Sequence, residues 1–148
     1  MKKLTAIIAA LAFFFSASAF SLPDVKVPET VKTSFKKSFA GALNINWEKK
    51  EDFYFASFQV NDTEVNAVYD EKGELIGAAR KMETSKLPSG VTEALKTRFG
   101  NYAINTQATE VRLNDQTIYY VTVQDDRRIL NLKCFTDGVI FVTNKTKK

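Results

Sequence analysis

Histidine is absent from all 148 residues, and cysteine occurs once. The first absence removes Ser-His-Asp, Cys-His and histidine–metal arrangements together, along with the ordinary proton switch near neutral pH. The second excludes an internal disulfide, so stability must come from packing. Cys134 alternates with Leu130 and Leu132, which groups it with buried small hydrophobes rather than with reactive thiols. No G-x-x-x-x-G-K-[ST] or G-x-G-x-x-G pattern occurs to cradle a phosphate. The carboxylates of Asp70, Glu71 and Glu74 flank a glycine turn whose spacing does not match an EF-hand loop. Those of Asp125 and Asp126, beside Arg127 and Arg128, read as a charged hairpin end. No catalytic set, metal site or cofactor site emerges, and the expectation is a chain that is not an enzyme.

Charge of one sign is also scarce. The net charge of +4 owes two units to Lys2 and Lys3 and three to Lys145, Lys147 and Lys148, which read as a solvated tail. The body between is close to neutral, which excludes the electrostatic footprint of a nucleic-acid binder. The apolar run Leu4–Phe15 is too short to span a bilayer. With its basic start and the small residues Ala17-Ser18-Ala19, it predicts a secretory signal over residues 1–19. Cleavage after Ala19 leaves one comfortable domain's length and no membrane insertion, and implies a periplasmic or secreted protein.

What the chain does have is one motif twice. Val27-Pro28 leads to Val31, Phe35 and Phe39; Leu87-Pro88 leads to Val91, Leu95 and Phe99. Proline suits a first helical turn, and apolar residues every fourth position make one buried stripe. Gly41 and Gly100 are expected to end the two helices in the left-handed conformation. Alternating, aromatic-rich stretches follow each helix, with turns at 49–52, 61–62, 70–73, 114–115, 125–126 and 137–138. The predicted fold class is α+β: two tandem repeats, residues 20–84 and 85–148, each a helix followed by a four-stranded antiparallel meander, with the helix packed on one sheet face. The two repeats are expected to pack as one body.

A helix covers one face of a sheet, so strands with aromatics on both faces should expose some of them. Trp47, Tyr54, Tyr69, Tyr119 and Tyr120 are the candidate partner-binding residues, since such side chains give large contacts at small entropic cost.

These residues, in this order, resemble the PepSY-like, beta-lactamase-inhibitor-like family of secreted Bacteroidetes-type proteins. The resemblance rests on Val27-Pro28-x-x-Val31, Phe35, Phe39, Trp47, Tyr54-Phe55-Ala56-Ser57-Phe58, Ala67-Val68-Tyr69-Asp70 and Gly73. It continues with Leu87-Pro88-x-x-Val91, Phe99, Tyr102-x-Ile104, Tyr119-Tyr120-Val121 and Asp137-Gly138. It implies tandem helix-plus-sheet units, residence in the periplasm or beyond, and binding that restrains an enzyme. The disulfides of the inhibitors are missing here. The expected function is a non-enzymatic exported module that binds a protein or peptide partner through an aromatic sheet face. The alternative is a structural or self-associating envelope protein with no ligand.

Overall fold

A computed structural model of the protein describes residues 25–148. The predicted signal segment, residues 1–19, lies outside the described residues, as do the first five residues of the expected first repeat.

The chain divides into two compact units between Arg80 and Lys81. The first holds α1 (Glu29–Ser38), β1 (Leu43–Lys50), β2 (Phe53–Val60), β3 (Thr63–Asp70) and most of β4 (Leu75–Glu83). The second holds a 3-10 turn (Thr84–Lys86), α2 (Ser89–Phe99), β5 (Ala103–Leu113), β6 (Gln116–Gln124), β7 (Arg128–Phe135) and β8 (Ile140–Lys147). The expectation of two tandem repeats, each a helix with its own four-stranded meander, is overturned. The eight strands are consecutive neighbours in a single eight-stranded sheet, ordered β1 to β8, so the described residues are mostly strand, with two short helices among them. The reason is local: β4 stays extended through Glu83, where a boundary between repeats would have needed the sheet to stop.

In the first unit the four-residue stripe faces inward. Val31 and Phe35 of α1 are buried with Val27. They meet Tyr54, Ala56 and Phe58 of β2 and Val65, Ala67 and Tyr69 of β3 in one cluster, with Phe39 and Trp47 at its margin. Paired residues share a face, and Tyr54↔Tyr69, Ala56↔Ala67 and Phe58↔Val65 show that this face is the helix-bearing one. Phe35 is the hub. Its ring lies 4.8 Å from Phe58, 5.2 Å from Trp47 and 5.6 Å from Phe39, centroid to centroid.

The second unit is built likewise around Val91, Leu95 and Phe99, packed on Tyr119, Val121 and Val123 of β6 and on Leu130, Leu132 and Cys134 of β7. The first turn of α2 sits against the β7–β8 turn so closely that neither Gly90 nor Gly138 has room for a side chain. A Cβ on Gly90 would meet the Thr136 carbonyl oxygen at 2.9 Å, and one on Gly138 would meet that of Gly90 at 2.8 Å.

Several local expectations are corrected. Leu43 and Ile45, which alternate with polar residues ahead of Trp47, are exposed. Asn44 takes a left-handed conformation and the pairing of β1 with β2 slips between Leu43 and Asn46. Gly100 is right-handed, not left-handed. Lys145 and Lys147 belong to β8, opposite Leu130 and Arg128, and the Lys148 amide donates to the Arg127 carbonyl at 3.0 Å, so the basic end is a strand and not a loose tail. The expectation that the face without a helix exposes its aromatics is met only in part. That face is buried at Phe55, Val68 and Ala79 in the first unit and at Val111, Leu113 and Ile118 in the second.

Candidate functional site

Alternation places aromatics on both faces of the strands, and the helices decide which remain accessible. Tyr54, Tyr69 and Tyr119, three of the five candidates, are buried on helix-bearing faces. Trp47 is half-buried on the same face of the first unit, 5.2 Å from Phe35 and 6.2 Å from Tyr69. The structure therefore brings Trp47 and Tyr69 together, as core. Lys49 caps the rim there, with Nζ 5.2 Å from the Tyr54 ring centroid and 3.2 Å from Glu71 Oε1.

Tyr69 is fully buried, and its hydroxyl has no hydrogen-bond partner among the described residues. Burial pushes its ionisation up, opposed in part by the nearby Ser38 hydroxyl. A buried polar atom without a partner carries its desolvation cost uncompensated. Tyr69→Phe is therefore expected to stabilise the protein by about 1 kcal/mol, read from urea unfolding. A loss of stability instead would mean that the hydroxyl is satisfied through Ser38.

Tyr120 alone of the five lies on the helix-free face. It pairs with Lys133 on β7, which pairs with Phe141 on β8, so the three side chains form a row across the sheet. Phe135 shares the Lys133 side of β7. Its ring stands edge-on to Phe141 at 6.1 Å and lies 5.0 Å from the Lys133 ammonium. Phe141 is 56% exposed, while Tyr120, Lys133 and Phe135 are half-buried. Thr122 Oγ1 and Asn131 Oδ1, 3.1 Å apart, continue the same face with polar atoms. The result is an aromatic and cationic strip with a polar margin, the composition that favours recognition over simple burial.

Lys133, Phe135 and Phe141 are not among the sequence candidates. The signal is nonetheless present: once Leu130, Leu132 and Cys134 point inward, Lys133 and Phe135 must point outward.

The turn carboxylates are occupied by the backbone. Asp70 Oδ1 accepts from the amides of Lys72 and Glu74 at 3.0 and 2.8 Å. Asp125 Oδ1 accepts from those of Arg127 and Arg128 at 2.9 and 2.8 Å, and its Oδ2 from Arg128 Nε at 3.0 Å. These bonds, the Arg127 amide first, hold the Asp125 carboxyl down at about 2. Glu110 is buried and paired with Arg112 two residues along the same strand. Among the described residues no group of three or more cysteine and acidic side chains converges as metal ligands would. No helix among them is long and apolar enough to cross a membrane.

Cys134 is fully buried in the second core. Burial pushes its thiol up to about 11, against a smaller pull from Arg98. Two consequences are measurable. The folded protein should resist thiol alkylation at pH 8 and react once unfolded, since only the thiolate attacks. A raised ionisation also favours the fold below the unfolded thiol's range near 8.5, and this is lost as pH rises toward 11. Burial raises Tyr69 and Tyr120 in the same direction. The urea midpoint should therefore fall between about pH 9 and pH 11, and Cys134→Ala should flatten the first part of that decline.

No family model matches the chain, and no curated protein matches it. Its fold does match solved structures. A candidate periplasmic protein from Bacteroides eggerthii superposes with a TM-score of 0.67 at 20% identity, over 83% of this chain and 90% of that one. A BLIP-like protein from Bacteroides fragilis gives 0.67 at 18% identity, over 83% and 87%. A DUF2874 family protein from Bacteroides uniformis gives 0.67 at 18% identity, over 82% and 90%. The fold of this chain is that of these BLIP-like and DUF2874 proteins.

Proposed function

We propose that this chain is an exported, non-enzymatic, PepSY-like and BLIP-like binding module that grips a protein or peptide through the helix-free face of its second unit. The observation that carries this reading is the row Tyr120–Lys133–Phe141 with Phe135 beside it. These side chains have no role in the α2-facing core and stand on neighbouring strands of one sheet. Aromatic anchors beside a cation suit a partner that offers apolar side chains and carboxylates. The likeness of fold to a BLIP-like protein supports binding as the mode of action, and the predicted signal segment supports a periplasmic or secreted location. An enzyme that the module restrains is one partner of this kind. Neither nucleic acid nor membrane insertion enters this reading.

The test is capture from periplasmic extract on immobilised protein, compared with the Tyr120→Ala/Phe141→Ala double variant. A specific partner retained by the native chain and lost by a variant with unchanged circular dichroism supports the reading. No partner, or one held equally by both, overturns it. The exposed Val139, Phe141 and Val142 on and beside outer strand β8 favour a second reading, self-association. Light scattering separates the two, because a dimer that Phe141→Ala returns to monomer would assign this face to a second copy.

A further inference from the structure

At one end of the second unit, the turn between β6 and β7 and the end of β8 enclose an open groove of about 570 Å³ lined by Asp125, Asp126, Arg127, Arg128, Lys145 and Lys147. Four cations thus face two carboxylates. The carboxylates are not equivalent. Asp125 is spent on two turn amides and on Arg128, and so cannot neutralise the rest. Arg128 is spent too, held by Asp125 and stacked 5.4 Å from the Tyr102 ring. Arg127, Lys145 and Lys147 have no ion pair among the described residues, and Asp126 is the one carboxylate left in the groove to oppose them. The lining side chains together carry an unbalanced charge of +2.

Three features make this more than a scatter of surface lysines. Lys145 and Lys147 lie two residues apart on one strand, hence on one face and about 6.6 Å apart along it. Their partners across the ladder, Leu130 and Arg128, turn them to the α2-bearing side, away from the aromatic row. The Arg127 backbone is fixed as well, by the Asp125 turn and by the Lys148 amide, which donates to its carbonyl at 3.0 Å. The ladder holds Lys145 and Lys147 together and the turn holds Arg127 beside them, with only Asp126 to offset their repulsion, and a bound anion would relieve it.

We infer that this groove binds a phosphomonoester, with Arg127, Lys145 and Lys147 as its ligands. The excess of two positive charges matches a group that carries between −1.5 and −2 at neutral pH better than a carboxylate or a sulfate ester. The guanidinium supplies paired donors to two oxygens and the ammonium groups act as point charges on the third. Asp126 lines the same groove, and its charge disfavours anions that gain less from the three cations. The phosphate could be borne by a soluble ester or by a lipid headgroup. The site lies on the opposite side of the sheet from the proposed partner surface and stands or falls independently of it.

The experiment is an amide NMR titration of the protein with glycerol 3-phosphate, at ionic strength held constant with sodium chloride. Shifts confined to residues 125–128 and 145–148 are expected. The Lys145→Gln/Lys147→Gln variant should weaken binding about tenfold or more, the loss of two charge-assisted hydrogen bonds. Both lysines are exposed strand residues, so the variant should keep its fold, which the rest of the spectrum reports. Co-sedimentation with phosphatidylcholine vesicles carrying phosphatidic acid forms the second arm. Binding there that exceeds binding to the soluble ester assigns a lipid source, and the reverse assigns a soluble one. Equal shifts with chloride alone, shifts that persist in the double variant, or no response in either arm would overturn the inference.

Discussion

Replacing Phe35 by alanine is expected to cost the first unit about 3–5 kcal/mol, the range for deleting a buried aromatic ring. Phe35 is 3% exposed and its ring packs against four other rings of this core. Phe39 comes from just past α1, Trp47 from β1, Phe58 from β2 and Tyr69, at 6.4 Å, from β3. Edge-on pairs of this kind add to simple burial, and the cavity left behind would be walled by other rings that cannot collapse without tilting. Most domains have no more than about 5–15 kcal/mol to lose, so this one change should leave the unit partly unfolded at room temperature. The readout is built in. Trp47 is the only tryptophan and lies against Phe35, so its fluorescence should shift to the red and its urea midpoint should fall. Phe39→Ala, at a half-buried position just past the same helix, should cost clearly less. Equal costs at the two positions would mean that the helix is held by general burial rather than through this ring.

The second large effect is expected at Gly138. The residue has φ +87°, and a side chain there would come within 2.8 Å of the Gly90 carbonyl oxygen. Gly138→Val thus combines a conformation disfavoured for branched residues with a clash against backbone, which cannot swing aside. A cost of about 2–4 kcal/mol is expected, measured from thermal and urea unfolding by circular dichroism. Gly41 gives the control. Its φ is +82°, but a Cβ there would have nothing within 4 Å, so Gly41→Ala should carry the conformational cost alone, about 1–2 kcal/mol. Should the two substitutions prove equally costly, the close seating of α2 on the β7–β8 turn would contribute nothing.

Much of the fold is legible in the sequence because it is written in periods. Apolar residues at every fourth position mark both helices, and turn residues mark the strand ends to within a few positions. Asn61 and Asp62, recognisable as a turn from composition, both take positive φ, the backbone of the tight hairpin that matches strand twist. Legibility ends where period says nothing. Alternation reveals which residues share a face but not what lies on top of it, and so Tyr54, Tyr69 and Tyr119 have the chemistry of a recognition surface and the position of core. Val68 and Ile118 face away from the helices and are nonetheless fully buried; no local pattern distinguishes such a position from an open one. Charge alone suggests a loose end at Lys145 and Lys147, although their alternation with Thr146 fits a strand equally well. The same alternation, followed through β7, puts Lys133 and Phe135 on the outer surface.

The ordering of the strands bears on how the protein forms. Each strand lies beside the one that precedes it in the chain, and most successive strands are joined by only a few residues. The entropy lost in closing so short a connection is small, and a hairpin of this size can close in about 1–10 microseconds. Assembly can therefore proceed from either end, one rung after another, without a distant segment having to arrive first. A chain emerging N-terminus first would bury the Phe35 cluster before its last strand had been made.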